Sequence, residues 1–121
     1  MTAGSTARRE SLTNKNGIPK DHGFNSRDLS FAKGIMRVTK GKGVDVVVNS
    51  LSGEALRKTW ECTAMFGRFV ELGKKDVLHN CALEMSHFHR NIAFTGINLE
   101  VSHSSSRIPS MADIPVEHAS L

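Results

Sequence analysis

The stretch that decides the fold reads Val44-Asp45-Val46-Val47-Val48-Asn49-Ser50-Leu51-Ser52-Gly53-Glu54-Ala55-Leu56. Its first five residues are β-branched apart from Asp45, and such a nearly unbroken run is typical of a strand covered on both faces of a parallel sheet. The polar turn over 50–53 leads into a helix predicted over 54–65. The stretch therefore predicts a strand followed by the helix of a βαβ unit.

The same alternation of strand and helix continues toward the C-terminus. Gly67 is expected to end the helix, 68–72 is predicted as a second strand, and 91–99 as a third and longer one. Parallel strands need crossovers of about a dozen residues or more, and the spacing here provides them. We therefore predict an α/β fold with a partial Rossmann-like, doubly wound parallel sheet and right-handed crossovers.

Upstream of this stretch, the pattern predicts two helices and one short strand. A helix is expected over about 6–14 with Ser5 or Thr6 as its cap, 22–25 is at best a short strand, and Asp28 should cap a helix that reaches about residue 40. Residues 1–101 are predicted to form a partial nucleotide-binding domain. The serine- and proline-containing segment 102–121 has no sustained period and is predicted to be an unstructured tail.

Composition excludes several classes of protein. The chain has 121 residues, of which 39% are hydrophobic and 23% charged, as in one small globular domain. No apolar run approaches the roughly 18 residues of a membrane span. The net charge of +4 is spread along the chain, which argues against a nucleic-acid surface. The two cysteines are too few for a disulfide framework, so a reducing, cytoplasmic compartment is predicted.

The carboxyl ends of the predicted strands define the candidate binding loops. The segment 4–9 offers hydroxyls, a helix N-terminus and the guanidiniums of Arg8 and Arg9, with no acid before Glu10. In dinucleotide-binding folds an acid after the second strand suits NAD, whereas an arginine suits the 2′-phosphate of NADP. The alternative is an exposed basic first turn of a helix, and the residues by themselves leave both interpretations open.

The sequence lacks the glycine-rich motif that binds the pyrophosphate in dinucleotide-binding folds. No Gly-x-Gly-x-x-Gly opens a helix after a strand, so the first βα unit of a Rossmann domain is expected to lie outside this chain.

A zinc site would need His and Cys side chains at a suitable spacing. The residues with the right chemistry are His79, Cys81, His87 and His89. Their spacing matches no common zinc site, and no metal site is predicted.

Three segments together carry a family resemblance. They are Asn-Ser-Arg-Asp at 25–28, Gly-Lys-Gly-Val-Asp-Val-Val-Val-Asn-Ser-Leu-Ser-Gly-Glu-Ala-Leu at 41–56, and Gly-Arg-Phe-Val-Glu-Leu-Gly-Lys at 67–74. The sequence closely resembles the enoyl reductase domain of fungal highly reducing polyketide synthases, and more distantly that of animal fatty acid synthase. Both belong to the medium-chain dehydrogenase/reductase superfamily. The resemblance covers about four-fifths of the chain, which is expected to be a truncated piece of such a domain, namely the second half of its NADPH-binding domain.

The resemblance implies a reaction and a set of site residues. Hydride from NADPH would reach the β-carbon of an α,β-unsaturated thioester on an acyl carrier protein, and a proton would reach the α-carbon, without zinc. Ser5 and Arg8 would meet the adenosine 2′-phosphate with Arg9 close by. The other implied cofactor-binding residues are Ser26, Arg27, Asn49, Ser50, Leu51, Gly73 and Lys74.

The proton donor and its acidic partner are also implied by the resemblance. Lys74 matches a lysine proposed as proton donor in the animal enzyme, although it could equally be an electrostatic clamp for phosphates. The acid of the animal pattern aligns with Glu100, whereas fungal versions carry an Asp where Asn98 stands. The catalytic pair predicted from sequence is therefore Lys74 with Glu100.

The resemblance also implies partners. These are the acyl carrier protein-bound enoyl thioester, the other polyketide synthase domains, and a homodimer formed through the strand 91–99. The chain by itself is expected to be inactive. The alternative function is a noncatalytic relic or interaction module that retains the nucleotide-binding fold.

Overall fold

The computed structural model describes residues 2–3 and 6–100. Five strands and four α-helices alternate along this part of the chain, with short 3₁₀ turns at Lys20–His22 and Met85–Arg90. The elements are β1 (Thr2–Ala3), α1 (Thr6–Asn16), β2 (Phe24–Asn25), α2 (Ser30–Val38), β3 (Val44–Asn49), α3 (Glu54–Glu61), β4 (Thr63–Glu71), α4 (Lys75–Leu78) and β5 (Ala93–Gly96). The predicted tail over 102–121 lies outside the described residues.

All strand pairs are parallel. β3, β4 and β5 form one three-stranded sheet in that order, and β1 pairs with β2 in a separate two-stranded sheet. In the larger sheet Val47 stands beside Phe69, which stands beside Phe94. The predicted α/β fold with a parallel sheet is confirmed.

An aromatic cluster forms the core on one face of the larger sheet. Trp60 of α3 is fully buried, with its ring centroid 5.4 Å from that of Phe69 and 4.9 Å from that of Phe88. Phe69 and Phe94 are stacked across neighbouring strands with centroids 5.2 Å apart. The indole N–H of Trp60 donates to the carbonyl of Glu84 at 2.9 Å, so the one polar atom of this ring is satisfied.

The predicted boundary between α3 and β4 is wrong. The helix was expected to reach residue 65, but it ends at Glu61 and the strand begins at Thr63. The Val44 N–H donates to the Cys62 carbonyl at 2.9 Å, and Val44 pairs with Thr63, so pairing with β3 ends the helix early. The register then shifts before Val46 meets Arg68, which places an irregularity inside β4.

The third strand of the larger sheet is shorter than predicted. It covers Ala93–Gly96 instead of 91–99. Asn91 adopts a left-handed conformation with φ 58°, which ends the preceding 3₁₀ turn, and Ile92 is buried in the core. After Gly96 the Ile97 N–H donates to the Glu71 carbonyl at 2.9 Å, and the ladder stops there.

The prediction that the 44–48 strand is covered on both faces is also wrong. Val47 is 7% exposed and packs against the aromatic cluster, whereas Val46 and Val48 are 62% and 66% exposed. Alternate residues of a strand point to opposite faces, and α3 packs on only one of them. Among the described residues, no element covers the face that carries Val46 and Val48.

A cavity of about 870 Å³ lies beside β3 and reaches the smaller sheet. Thr2 of β1 lines it together with Val46, Val47 and Val48 of β3. The two sheets are therefore neighbours across this cavity, and in the described part of the chain no ladder joins them.

Candidate functional site

The carboxyl ends of three strands converge on the large cavity. Arg8 stands in the first turn of α1, shortly after β1, and Ser26 directly follows β2. Asn49 ends β3, and Ser50 and Leu51 follow it. All five line the same cavity, so the structure brings together the residues predicted for the adenosine and nicotinamide sides of the cofactor.

The lining of this cavity combines apolar and polar residues. Phe31 and Ile35 of α2 line it with the valines of β3, and Phe31 is 1% exposed. The polar residues of the lining include Arg8, Ser26 and Ser50. This composition suits a flat apolar ring system that carries phosphate and hydroxyl groups.

Of the described residues that were predicted to bind the cofactor, four do not line that cavity: Arg9, Arg27, Gly73 and Lys74, the last two of which line a second cavity. Arg9 donates from Nη2 to the Thr6 hydroxyl at 3.2 Å, and neither it nor Arg27 lines the cavity. Ser5 lies outside the described residues. The roles predicted for Arg9, Arg27 and Ser5 stay predictions.

The turn between β2 and α2 is fixed by Asp28. Its carboxylate accepts the Ser30 N–H at 2.9 Å, and it also accepts bonds from the Ser30 hydroxyl and from Asn25 Nδ2. The hydrogen bond from the Ser30 hydroxyl is the main cause that lowers the pKa of Asp28. The prediction that Asp28 is the N-cap of this helix is wrong, because Leu29 is the residue before Ser30 and makes no side-chain capping bond; Asp28 instead orders the preceding turn. The Arg27 N–H donates to Asn25 Oδ1 at 2.9 Å, which further orders this turn.

A second, smaller cavity of about 280 Å³ holds the predicted catalytic pair. Gly73 and Lys74 enter it from the end of β4, Val77 from α4, and Asn98 and Glu100 from the segment after β5. The Lys74 ammonium forms an ion pair with the Glu100 carboxylate. This hydrogen bond and the positive charge of Lys74 lower the pKa of Glu100.

The position where fungal domains carry an Asp has a supporting contact in this structure. Asn98 lines the same cavity, and its Oδ1 accepts the Glu100 N–H at 3.0 Å. The amide therefore orders the backbone of the residue that pairs with Lys74. The negative charge beside Lys74 comes from Glu100, as predicted for the pair.

Sequence reasoning missed Glu71. This carboxylate is 3% exposed at the end of β4 and accepts hydrogen bonds from Asn49 Nδ2 and from the Gly73 N–H. Burial raises its pKa, and those two hydrogen bonds oppose the rise. An acid in the otherwise apolar run Phe-Val-Glu-Leu at 69–72 was the available signal.

The side chain of Asn49 is buried, and its polar atoms already form hydrogen bonds within the protein. It is 2% exposed, its Nδ2 donates to Glu71 and to the Leu51 carbonyl, and its Oδ1 accepts the Leu51 N–H. Its polar atoms therefore order the β3 end, and any contact with a cofactor remains a prediction.

The residues tested for zinc are not brought together. Within 2–3 and 6–100, no three His, Cys, Asp or Glu side chains are grouped so that they could hold a metal ion. The described part of the chain therefore does not fit a zinc site. The helices in the same part of the chain include none that is long and apolar enough to cross a membrane.

The fold and these two cavities define the nucleotide-binding half of an oxidoreductase domain. Residues 19–113 match the family described as zinc-binding dehydrogenase, and the chain belongs to that family. The chain is similar to the highly reducing polyketide synthase dmxL2 of Cryptosporiopsis sp. (strain 8999), with 54% identity over 98 residues. That match covers 81% of this chain and 4% of the synthase, so the chain spans a small part of its curated relatives.

Solved structures agree with this assignment. The nucleotide-binding subdomain of the enoylreductase domain of PpsC from Mycobacterium tuberculosis matches with a TM-score of 0.74 and 39% identity, over 88% of this chain and 59% of that one. The CurK enoyl reductase matches with a TM-score of 0.67 and 34% identity, over 87% of this chain and 30% of that one. The chain is thus similar to enoyl reductase domains, and its fold is that of their nucleotide-binding half.

Proposed function

We propose that the chain is part of an NADPH-dependent enoyl reductase domain that reduces α,β-unsaturated acyl thioesters during polyketide or fatty acid synthesis. The observation that carries this proposal is the arrangement of the two cavities. Arg8, Ser26 and the β3 end line one of them, and Lys74 with Glu100 lines the other, both at carboxyl ends of parallel strands.

The lining of the large cavity suits two parts of NADPH, the adenosine 2′-phosphate and the nicotinamide. The Arg8 guanidinium would hold the adenosine 2′-phosphate through charge-assisted hydrogen bonds, with Ser26 beside the ribose. Ser50 and Leu51 would flank the nicotinamide half. Bound there, the dihydronicotinamide supplies the hydride for the β-carbon.

The second cavity holds the residue that we propose as proton donor. Hydride addition at the β-carbon would leave an enolate, to whose α-carbon Lys74 Nζ would donate a proton, and Glu100 would orient the ammonium. The Lys74 side chain is 47% exposed, so a substrate entering from solvent can reach it. In the alternative role Lys74 neutralises cofactor phosphates, and substrate reduction would then survive its replacement by arginine.

Assembly and location follow from the same assignment. The acyl carrier protein and the other domains of a polyketide synthase are the proposed partners, and a homodimer through the β5 edge is the proposed assembly. Cys62 and the exposed Cys81 are both free thiols, which supports a reducing, cytoplasmic compartment.

Cofactor choice gives the direct test of this proposal. The 121-residue chain is expected to bind NADPH or 2′,5′-ADP more tightly than NADH, because only the former present a 2′-phosphate to Arg8. Arg8→Ala should reduce this preference by about tenfold, the effect of one charged hydrogen bond. Titration calorimetry measures it, with Arg37→Ala on the exposed side of α2 as the control. Equal affinities for NADPH and NADH in the unchanged chain would contradict the proposal.

We further propose that the 121-residue chain alone does not catalyse the reduction of an enoyl thioester by NADPH. No Gly-x-Gly-x-x-Gly stands in its sequence, so the chain itself supplies no cradle that positions a pyrophosphate. The expected result with NADPH and a crotonyl thioester is an absorbance trace that matches the protein-free control. Turnover above that control would contradict this part of the proposal.

A further inference from the structure

A buried carboxylate joins the ends of β3 and β4, and the reaction above does not use it. Glu71 and Asn49 are paired in register and are 3% and 2% exposed. Asn49 Nδ2 donates to Glu71 Oε2 at 3.0 Å and to Oε1 at 3.2 Å. Within the described ranges no Lys, Arg or His forms an ion pair with Glu71. Hydrogen bonds therefore compensate the buried charge.

The same carboxylate also reaches the backbone next to Lys74. The Gly73 N–H donates to Glu71 Oε1 at 2.6 Å. A Cβ atom built on Gly73 would lie 2.7 Å from that oxygen and 3.4 Å from the Ser50 carbonyl. Position 73 must therefore be glycine as long as the carboxylate occupies this place. The next residue is Lys74, so the carboxylate lies one peptide away from the proposed proton donor.

We propose that Glu71 is a positioning residue whose buried carboxylate holds the Gly73 amide and the Asn49 side chain, and thereby directs Lys74 toward Glu100. This inference rests on the proposed function only in giving Lys74 a chemical role. The backbone carbonyl of Glu71 also accepts the Ile97 N–H at 2.9 Å. One residue thus links the ends of all three strands of the larger sheet.

The direction of the hydrogen bonds requires an acceptor on both oxygens of residue 71. In a Glu71→Gln variant, the new amide would face either the Gly73 N–H or Asn49 Nδ2, and both are donors. Rotating the Asn49 amide by 180° does not help, because Nδ2 would then face the Leu51 N–H. A glutamine therefore leaves at least one donor without an acceptor, although it has nearly the same shape as glutamate.

Several neighbouring groups act on the pKa of the Glu71 carboxyl, and they do so in opposite directions. Burial raises the pKa of Glu71, the bonds from Asn49 and Gly73 lower it, and the nearby charge of Asp76 raises it further. Asp76 is itself used as an acceptor, since the Gly53 N–H donates to its Oδ2 at 2.9 Å.

The test measures the pKa of the Glu100 carboxyl and hydrogen exchange at the Gly73 amide, both in variants of Glu71. In the 121-residue chain, NMR titration should show a lowered pKa for Glu100, because Lys74 is paired with it. Glu71→Gln is expected to return the pKa of Glu100 toward the ordinary 4.5, and to speed hydrogen exchange at the Gly73 amide by about tenfold. Glu61→Gln, on an exposed acid at the end of α3, should change neither. No step requires cofactor binding, so failure of the proposed function would not mimic failure here.

A Gly73→Ala variant covers the case in which Glu71→Gln does not fold. Its Cβ atom would lie 2.7 Å from Glu71 Oε1, so the carboxylate must move away from the amide of residue 73. A raised Glu100 pKa and faster exchange at the amide of residue 73 would support the inference. A folded variant of either kind whose Glu100 pKa and residue 73 exchange match the unchanged chain would overturn it.

Discussion

Lys74 and Glu100 form an ion pair between two side chains that solvent reaches, 47% and 77% exposed. An exposed pair of this kind contributes little to stability, so its value lies in where it holds the ammonium. The structure places the ammonium in a cavity with Asn98, at the edge of the sheet where the other predicted residues gather. At the scale of single residues, the pair thus fixes the position of the ammonium more than it stabilises the fold, and the chemical role of Lys74 is a proposal.

Replacing Lys74 should be visible in the titration of its partner. Lys74→Met removes the hydrogen bond and the charge that lower the pKa of Glu100, so this pKa should rise toward 4.5. In the unchanged chain the small stabilisation from the pair is present above the unfolded-state pKa and is lost as pH falls through the lowered folded-state value. Carbon-detected NMR of the Glu100 carboxyl measures the change. Lys75→Met, on the adjacent lysine, should leave the Glu100 titration as it is; an equal shift in both variants would contradict this assignment.

Among the secondary-structure elements, the β3–α3–β4 unit is held by a close backbone approach before β3. Gly43 has φ 87°, and a Cβ atom there would collide with the Cys62 carbonyl oxygen and lie 3.1 Å from the Ala64 nitrogen. Both neighbours are backbone atoms, of Cys62 directly before β4 and of Ala64 within it, and they cannot move without disturbing the ladder. Gly41 has a similar φ of 80° with no atom within 4 Å of its Cβ position.

These two glycines form a matched pair for mutation. Gly41→Ala should cost about 1–2 kcal/mol from its left-handed backbone alone. Gly43→Ala should cost the same and an additional 1–3 kcal/mol or so for the backbone clash. Denaturant unfolding followed by tryptophan fluorescence gives both values, because Trp60 is fully buried when the chain is folded. Equal losses for the two variants would show that the approach at Gly43 is looser than described.

The elements also show which features a sequence can and cannot predict. The β-branched run predicts β3 well, and the carboxyl-end rule brings Arg8, Ser26 and the β3 end to one cavity. The end of α3 was misplaced because 62–65 contains no helix breaker, and only pairing with Val44, far away in sequence, ends the helix. Glu71 was missed for the same reason, since its partner Asn49 is 22 residues away.

At the scale of the whole molecule, β5 is one of the two outer strands of the larger sheet, and β3 is the other. Ala93 and Thr95 are exposed, and neither a proline nor a lysine in Ala93–Gly96 blunts the edge. Such an edge is a template for pairing with another strand. A second copy of the chain is the proposed occupant.

Light scattering tests this assembly. The chain is expected to self-associate at micromolar concentration, and Thr95→Lys should shift it toward monomer by placing a charge on the edge. Phe94 is unsuitable for this purpose because its ring stacks on Phe69 in the core. Ser86→Lys adds the same charge on the exposed 3₁₀ turn and should leave the association unchanged. A monodisperse monomer before any substitution would contradict the proposed dimer.

The division of the strands into two sheets has a consequence for how the molecule opens. In the described ranges no ladder joins β1 to β3. Contact between the two parts includes α2, where Phe31 is buried and the Cys62 thiol lies 3.9 Å from the Ala32 carbonyl oxygen. Contiguous parts of a protein that share few bonds open as separate cooperative units. Amides of α1, β1 and β2 should therefore exchange with solvent through a lower-energy opening than those of β3 and β4, whose exchange should require unfolding of the aromatic cluster.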